Sequence, residues 1–145
     1  EIITKKTYYQ IVGDKEIKVN QQEYFYTDGN LKSIKYFDDM SKFPKEINLR
    51  DVYTYLSDTL VKEQRFSTNY LTKIEREEDY YNLYTIKNGN RIKSVTVNAK
   101  TGSSFNTLMY VYDSNNSPFK NILGFNLLIN DEKHALNKYF KCFIR

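Results

Sequence analysis

The sequence predicts an all-β protein, with room for one short helix, built as an antiparallel β-meander. Its 145 residues include 14 Tyr and 9 Phe but only 2 Pro, and aromatic side chains suit a pleated, half-buried surface. Turn signals rich in Gly, Asp and Asn separate short apolar runs. A unit of Tyr-x-Tyr, turn and Leu/Ile-x-Lys recurs along the chain. Successive hairpins of one period build a meander. We therefore expect a single domain over residues 1–145, with one long twisted sheet or a sheet curled toward a barrel.

Charge and hydropathy exclude several classes of protein. The net charge is +4, and Lys and Arg alternate with Asp and Glu instead of forming a block. This pattern is typical of the solvated face of a sheet, so we expect no nucleic-acid partner. No apolar run reaches the roughly 18 residues of a transmembrane helix. Since Glu1 is not an initiator Met and no signal peptide is present, we expect a trimmed mature domain without a transmembrane segment.

Two hairpins are predicted in the first third of the chain. Thr7–Val12 is strand-like, and Gly13-Asp14 is a turn signal before the return at Glu16–Val19. A clearer hairpin follows, because Asp28-Gly29 supplies residues that tolerate the positive φ of a tight turn. Its strands are Glu23–Thr27 and Leu31–Phe37. Alternation along the first strand then places Tyr24 and Tyr26 on one face and Phe25 on the other.

The segment Leu49–Gln64 is compatible with a helix or a hairpin. Its apolar residues have helical spacing. However, a shift of 29 residues, from position 24 to position 53, lays Tyr24 and Tyr26 onto Tyr53 and Tyr55. This internal repeat favours the hairpin.

The next part of the chain contains a charged turn and another hairpin. A turn at Ser67–Asn69 leads to a predicted strand at Tyr70–Ile74, and the acidic Glu75–Asp79 is interpreted as a hairpin tip kept soluble by its charge. Tyr80–Lys87 and Arg91–Asn98 flank Asn88-Gly89, which is the strongest short hairpin signal.

The last third is less clearly patterned. Ser103–Asp113 is predicted to be a long strand, and Ile122–Ile129 fits a strand or a short helix. Pro118 fixes φ in the turn between them, with Phe119 packing inward. Residues 130–145 fit a helix or a last strand equally well.

One stretch resembles a known family. Tyr110–Ile122 reads YVYDSNNSPFKNI, and it contains the Tyr112-Asp113 pair. It resembles the C-terminal part of a family of secreted, lipoprotein-like Bacteroidetes proteins of unknown function, which have degenerate YD-type hairpin repeats and a porin-like β-sheet fold. The resemblance implies export, a cell-envelope or secreted location and a precursor that could carry a lipid anchor. It brings no catalytic residues.

Tyrosines are the main candidates for a binding function. A single-layer sheet cannot bury both faces, and an exposed Tyr combines an apolar ring with a hydroxyl that suits a glycan or a surface protein. We predict a non-enzymatic module that binds through five of them: Tyr24, Tyr26, Tyr53, Tyr55 and Tyr84. The alternative is that these rings form cross-strand ladders that stabilise the sheet.

Catalytic and metal sites have weaker support. A glycan-acting hydrolase would need two carboxylates at a fixed separation, and Glu75, Glu77 and Asp79 would share one face of a strand. His134 and Cys142 lack the spacing of a catalytic pair. The Asp113-x-Asn115-x-Ser117 pattern lacks the Gly and Glu that a calcium loop of this type needs at its sixth and twelfth positions. We expect no metal and no cofactor.

Overall fold

The computed structural model describes residues 2–37, 47–110 and 142–144, which form one antiparallel sheet. The strands are β1 (Lys5–Val12), β2 (Lys15–Thr27), β3 (Asn30–Phe37), β4 (Leu49–Ser57), β5 (Leu60–Thr68), β6 (Glu75–Lys87), β7 (Asn90–Asn98), β8 (Ser104–Met109) and β9 (Cys142–Ile144). Their order in the sheet is β8-β7-β6-β5-β4-β3-β2-β1-β9. Among these described strands the two at the edges do not pair with each other, so the meander is confirmed and this sheet is open instead of closed into a barrel.

Tight turns join the hairpins where the sequence predicted them. At the β2–β3 turn, Asp28 has φ 49° and Gly29 has φ 76°, and at the β6–β7 turn Asn88 has φ 51° and Gly89 has φ 76°. Two successive residues with positive φ twist the chain in the sense that matches the flanking strands. The predictions for both hairpins are confirmed.

The segment that was compatible with a helix is a hairpin. β4 and β5 pair antiparallel from Leu49↔Ser67 to Ser57↔Leu60. Strand alternation buries Tyr53 and leaves Leu56 54% exposed, so the apolar residues at helical spacing divide between the two faces.

Three local predictions are wrong. Glu16–Val19 and Glu23–Thr27 are not separate strands, because both lie in the continuous strand β2. Tyr70–Ile74 is not a strand, because residues 69–74 form the connection between β5 and β6. Glu75–Asp79 is not a hairpin tip, since these residues begin β6 and the first three of them pair with the end of β5. Charged side chains are compatible with this strand because most of them lie in solvent.

The predictions for residues 111–141, including Pro118, His134 and the family-like stretch after Tyr110, lie outside the described residues.

One face of the sheet, which we call the tyrosine face, holds the core. Tyr24, Tyr53 and Tyr84 occupy the same position in three successive hairpins, and each is at most 5% exposed. The second residue after each of the three turns is also buried. These residues are Leu31, Val61 and Arg91, at 0%, 2% and 0% exposure.

Arg91 is a charged residue at an apolar position of this repeat. Its guanidinium carbon lies 4.8 Å from the ring centroid of Tyr84 and 4.7 Å from that of Tyr110. Aromatic rings attract a desolvated cation through their negative faces. The rings therefore help to accommodate a buried cation where the other two hairpins bury Leu31 and Val61.

A buried ion pair links β3, β4 and β5 on the tyrosine face. Asp51 is 1% exposed. It accepts hydrogen bonds from Arg65 Nε at 2.7 Å and Arg65 Nη2 at 2.8 Å, and from the Tyr36 hydroxyl at 2.8 Å. Hydrogen bonding to Asp51 raises the pKa of Arg65. The carboxylate thus has the donors that a buried charge requires.

A second buried carboxylate links β5 to β6. Glu63 accepts hydrogen bonds from the Tyr84 hydroxyl at 2.6 Å and the Asn82 amide at 3.0 Å. Asn82 in turn accepts one from the Thr96 hydroxyl on β7 at 2.8 Å. Burial is the main cause that raises the pKa of Glu63 above its ordinary value of 4.5, and the charge of Asp51 adds to it.

Candidate functional site

The tyrosines predicted to bind a ligand do not form an exposed surface. Tyr24, Tyr53 and Tyr84 are buried in the core, and Tyr26 and Tyr55 pack against it. Burial is the main cause that raises the pKa of Tyr26 to about 12. The predicted exposure is wrong because the repeat places these rings on the tyrosine face, where they pack against one another and against Leu31 and Val61.

A groove with ligand-sized dimensions lies instead at the end of the sheet where β5 turns into β6. Its volume is about 440 Å³, within the range of about 300–1,000 Å³ that is common for small-molecule sites. Lys35 pairs with Arg50, and the adjacent pair is Ile34↔Asp51. Because successive residues of a strand point to opposite faces, Lys35 and Arg50 lie on the face opposite Asp51. The groove is lined by Lys35, Ile47, Asn48, Arg50, Thr68, Tyr70, Lys73 and Glu75.

Arg50 lines this groove and makes two contacts with its neighbours. Its Nε and Nη2 donate to the two carboxylate oxygens of Glu75 at 3.0 and 2.7 Å, and its guanidinium carbon lies 4.5 Å from the ring centroid of Phe66. The hydrogen bond from Arg50 is the main cause that lowers the pKa of Glu75, and the charge of Lys35 adds to it. Glu75 is therefore ionised at neutral pH and committed to Arg50.

The connection at residues 69–74 forms the rim of the groove. The Asn69 side-chain oxygen accepts hydrogen bonds from the backbone amides of Leu71 and Thr72, both at 3.0 Å. The backbone amide of Asn69 donates to the Ile74 carbonyl at 3.0 Å, and the backbone amide of Lys73 donates to the backbone carbonyl of Asn69 at 2.8 Å. An Asn that bonds the backbone following it is a common way to fix a turn.

This rim presents apolar side chains to solvent. Tyr70, Leu71 and Ile74 are 58%, 73% and 53% exposed. Tyr70 lines the groove together with the polar residues Asn48 and Thr68. An exposed aromatic ring beside hydrogen-bonding groups is an arrangement that can contact a ligand with both polar and apolar surfaces.

Two of the three acidic residues considered for hydrolysis, Glu75 and Asp79, are engaged in ion pairs. Glu75 is bound to Arg50. Asp79 is bound to Lys100 at 2.7 Å, with both side chains largely exposed. Among the described residues no group of three His, Cys, Asp or Glu side chains could hold a metal ion.

Sequence reasoning missed Tyr70 and Lys73 because it assigned them to a strand. The available signal was Asn69, whose side chain favours a turn; the run Tyr70–Ile74 obscured it by resembling a short apolar strand. The role of Arg50 could not be read from the sequence, since Glu75 is 25 residues away and reaches it through pairing of β5 with β4 and β6.

Comparisons with known proteins add little to this description. No family model matches the chain, and no curated protein matches it. Among solved structures, it is similar to a protein of unknown function from Bacteroides fragilis NCTC 9343, at 13% sequence identity and a TM-score of 0.47, over 74% of this chain and 93% of that chain. Within the described ranges no helix is long and apolar enough to cross a membrane.

Proposed function

We propose that this chain is a non-enzymatic β-sheet module that binds a glycan in the groove beside Tyr70. The observation that carries the proposal is the exposed Tyr70 ring on a turn fixed by Asn69, at the rim of a groove of about 440 Å³. A turn that is fixed before binding loses less conformational entropy when the ligand arrives.

Other lining residues suit a sugar as well. The backbone of Asn48 is hydrogen-bonded to strands on both sides. Its backbone amide donates to the Tyr36 carbonyl at 3.0 Å, and its backbone carbonyl accepts from the Thr68 amide at 2.9 Å. Asn48 and Thr68 line the groove together with Tyr70, and their side chains carry an amide and a hydroxyl. Such groups can hydrogen-bond sugar hydroxyls in a fixed direction, while the ring covers an apolar sugar face.

The test is a glycan-binding screen followed by titration calorimetry on Tyr70→Ala. We expect the affinity for a bound glycan to fall about tenfold, equivalent to ~1.4 kcal/mol. Tyr80→Ala is the matched control, because Tyr80 is also exposed, at 36%, and does not line the groove. Equal affinities for the two variants would refute the site, and binding of a surface protein without any glycan would favour a protein partner instead.

We propose a binding module in preference to a hydrolase, and two described carboxylates support this choice. The general acid of a glycosidase needs a raised pKa, whereas Arg50 lowers the pKa of Glu75. Glu63 has a raised pKa but is 7% exposed, with both oxygens engaged by Tyr84 and Asn82. Release of reducing sugar from the bound glycan, lost in Glu75→Gln, would overturn this proposal.

We also propose a cell-envelope or secreted location, with a lipid anchor on the precursor as the envelope alternative. Support comes from the resemblance carried by Tyr110–Ile122. Expressing the whole precursor with a labelled palmitate analogue tests it. Label in the membrane fraction would indicate the anchor, unlabelled protein in the medium would indicate secretion, and retention in the cytoplasm would refute both.

A further inference from the structure

We infer that Arg50 and Glu75 are positioning residues of the groove, because their ion pair holds the turn at residues 69–74 that carries Tyr70. The inference rests on the proposed function, since it names the contact that controls how this site presents its aromatic ring. The ion pair acts on binding through the turn, so its effect does not require contact with the glycan.

The first support is the place of Glu75 at the end of the turn. Glu75 directly follows the turn and begins β6. It pairs with Thr68, the last residue of β5. Just inside that pair, the backbone amide of Asn69 donates to the Ile74 carbonyl at 3.0 Å. The two ends of the turn therefore meet at Glu75, so a restraint on this residue acts on the base of the turn.

The second support is the geometry of the ion pair. Arg50 Nε and Nη2 donate to the two carboxylate oxygens of Glu75 at 3.0 and 2.7 Å. Two parallel hydrogen bonds fix the direction of the carboxylate as well as its distance. Arg50 belongs to β4, and β5 lies between β4 and β6 in the sheet. The contact thus ties the end of the turn to a strand that is not its neighbour.

The third support is the restraint that Phe66 places on Arg50. The two residues pair across β4 and β5, and the Arg50 guanidinium carbon lies 4.5 Å from the Phe66 ring centroid. A flat guanidinium can stack on an aromatic ring while it hydrogen-bonds a carboxylate. Surface ion pairs usually contribute little, because two flexible side chains lose freedom when they pair. The ring already restrains Arg50, so less freedom is lost here.

These restraints act on both ends of the turn. The Asn69 side chain holds the amides of Leu71 and Thr72 near its start, and the ion pair holds Glu75 at its end. Tyr70, which is 58% exposed, is therefore presented before the glycan arrives. Without the ion pair the glycan would have to order the turn as it binds, and this cost lowers affinity.

The first measurement is amide hydrogen exchange by NMR without any glycan. The probes are the backbone amides of Leu71 and Thr72, which both donate to the Asn69 side chain at 3.0 Å. We expect Glu75→Gln to raise their exchange rates about threefold, because loss of the ion pair lets the turn open locally. The amides of β7 are the reference, since this strand does not line the groove, and their rates should stay the same.

Glu77→Gln is the matched control. Glu77 is another exposed glutamate near the start of β6, and it does not line the groove. A double-mutant cycle then tests whether Arg50 and Glu75 act as one unit. Glu75→Gln should add nothing in a protein that already carries Arg50→Gln, because the interaction is lost with either partner.

The second measurement is titration calorimetry with the oligosaccharide that binds most tightly in the glycan screen. We expect Glu75→Gln to weaken binding about three- to tenfold, since the oligosaccharide must now order the turn that carries Tyr70. Glu77→Gln should bind it as the wild type does.

The outcomes separate this inference from the proposed function. Equal exchange rates in Glu75→Gln and Glu77→Gln, an equal rise in β7, or additive effects in the cycle would overturn the positioning role. Wild-type affinity in Glu75→Gln would also overturn it and leave glycan binding at Tyr70 in place. Faster exchange at Leu71 and Thr72, with no glycan bound by the wild type, would support the held turn and overturn the proposed function instead.

Discussion

Replacing Asp51 with Asn tests whether the buried ion pair stabilises the sheet. Asn keeps the shape of the side chain but removes its negative charge. In the native protein that charged carboxylate accepts hydrogen bonds from Arg65 and from the Tyr36 hydroxyl. Breaking a buried pair by removing one partner costs about 3–5 kcal/mol, because the remaining charge is left without compensation. The Arg65 side chain is 34% exposed, so water offsets part of that cost and we expect about 3 kcal/mol.

Urea denaturation followed by circular dichroism measures this change. With a slope of about 2 kcal/mol per molar urea, a loss of about 3 kcal/mol lowers the midpoint by about 1.5 M. A domain with a stability of about 5–15 kcal/mol survives this loss, so the variant should still fold.

The matched control is Asp79→Asn. Asp79 and Lys100 also lie 2.7 Å apart, but their side chains are 68% and 72% exposed. Exposed pairs contribute about 0–1 kcal/mol, so the midpoint should move by less than about 0.5 M. Equal midpoint shifts for Asp51→Asn and Asp79→Asn would refute the reasoning, because they would mean that burial does not distinguish the two pairs.

Three further predictions concern the core and the turns. The pKa of Glu63 is higher in the folded state than its ordinary value of 4.5, so the free energy of unfolding should fall as pH rises from 4.5 through the raised pKa. Glu63→Gln should remove that fall in urea melts at several pH values, and an unchanged pH profile would contradict the prediction. Leu31→Ala, at a fully buried position, should cost about 2–5 kcal/mol, whereas Leu56→Ala, at a position 54% exposed, should cost much less in the same assay. Gly89→Ala should lower the free energy of unfolding by about 1–2 kcal/mol, because Gly89 has φ 76° and Ala is strained in that region. An added Cβ meets no atom within 4 Å, so the backbone conformation is the only expected source of this loss. An unchanged thermal midpoint would show that this turn adapts.

The strand pattern could be predicted from the sequence because its signals are local. Asp28-Gly29 and Asn88-Gly89 determine turn geometry within a few residues. The 29-residue repeat resolved the ambiguity of Leu49–Gln64 in favour of a hairpin. Phe25 illustrates the success at the level of one side chain, since it lies opposite Tyr24 and is 40% exposed.

Burial could not be predicted in the same way. Alternation separates two faces but does not say which face is covered, so the tyrosines that looked suited to binding are core residues. Arg91 shows the same limit, because a charged residue after a turn is usually in solvent. Its burial depends on rings from Tyr84 and Tyr110, which no local pattern reveals.

The candidate site was missed because it is assembled from strands that meet only in the sheet. Lys35 and Arg50 are neighbours through strand pairing, and Glu75 joins them from β6. Tyr70 and Lys73 belong to a turn whose apolar residues favour a strand by composition. Tertiary pairing, and the hydrogen bonds of Asn69, decided the outcome.

The order of the strands has a consequence for how the chain reaches its fold. From β1 to β8, every strand pairs with its neighbours in sequence, so each hairpin can form by closing a short loop at low entropic cost. The described exception is β9, where Lys6 pairs with Ile144 and almost the entire chain lies between them. That pairing has the largest sequence separation among the described strand pairs, and contacts of large sequence separation form late. We therefore expect the described strands to assemble as a linear array of hairpins, with the pairing of β1 and β9 as the final step.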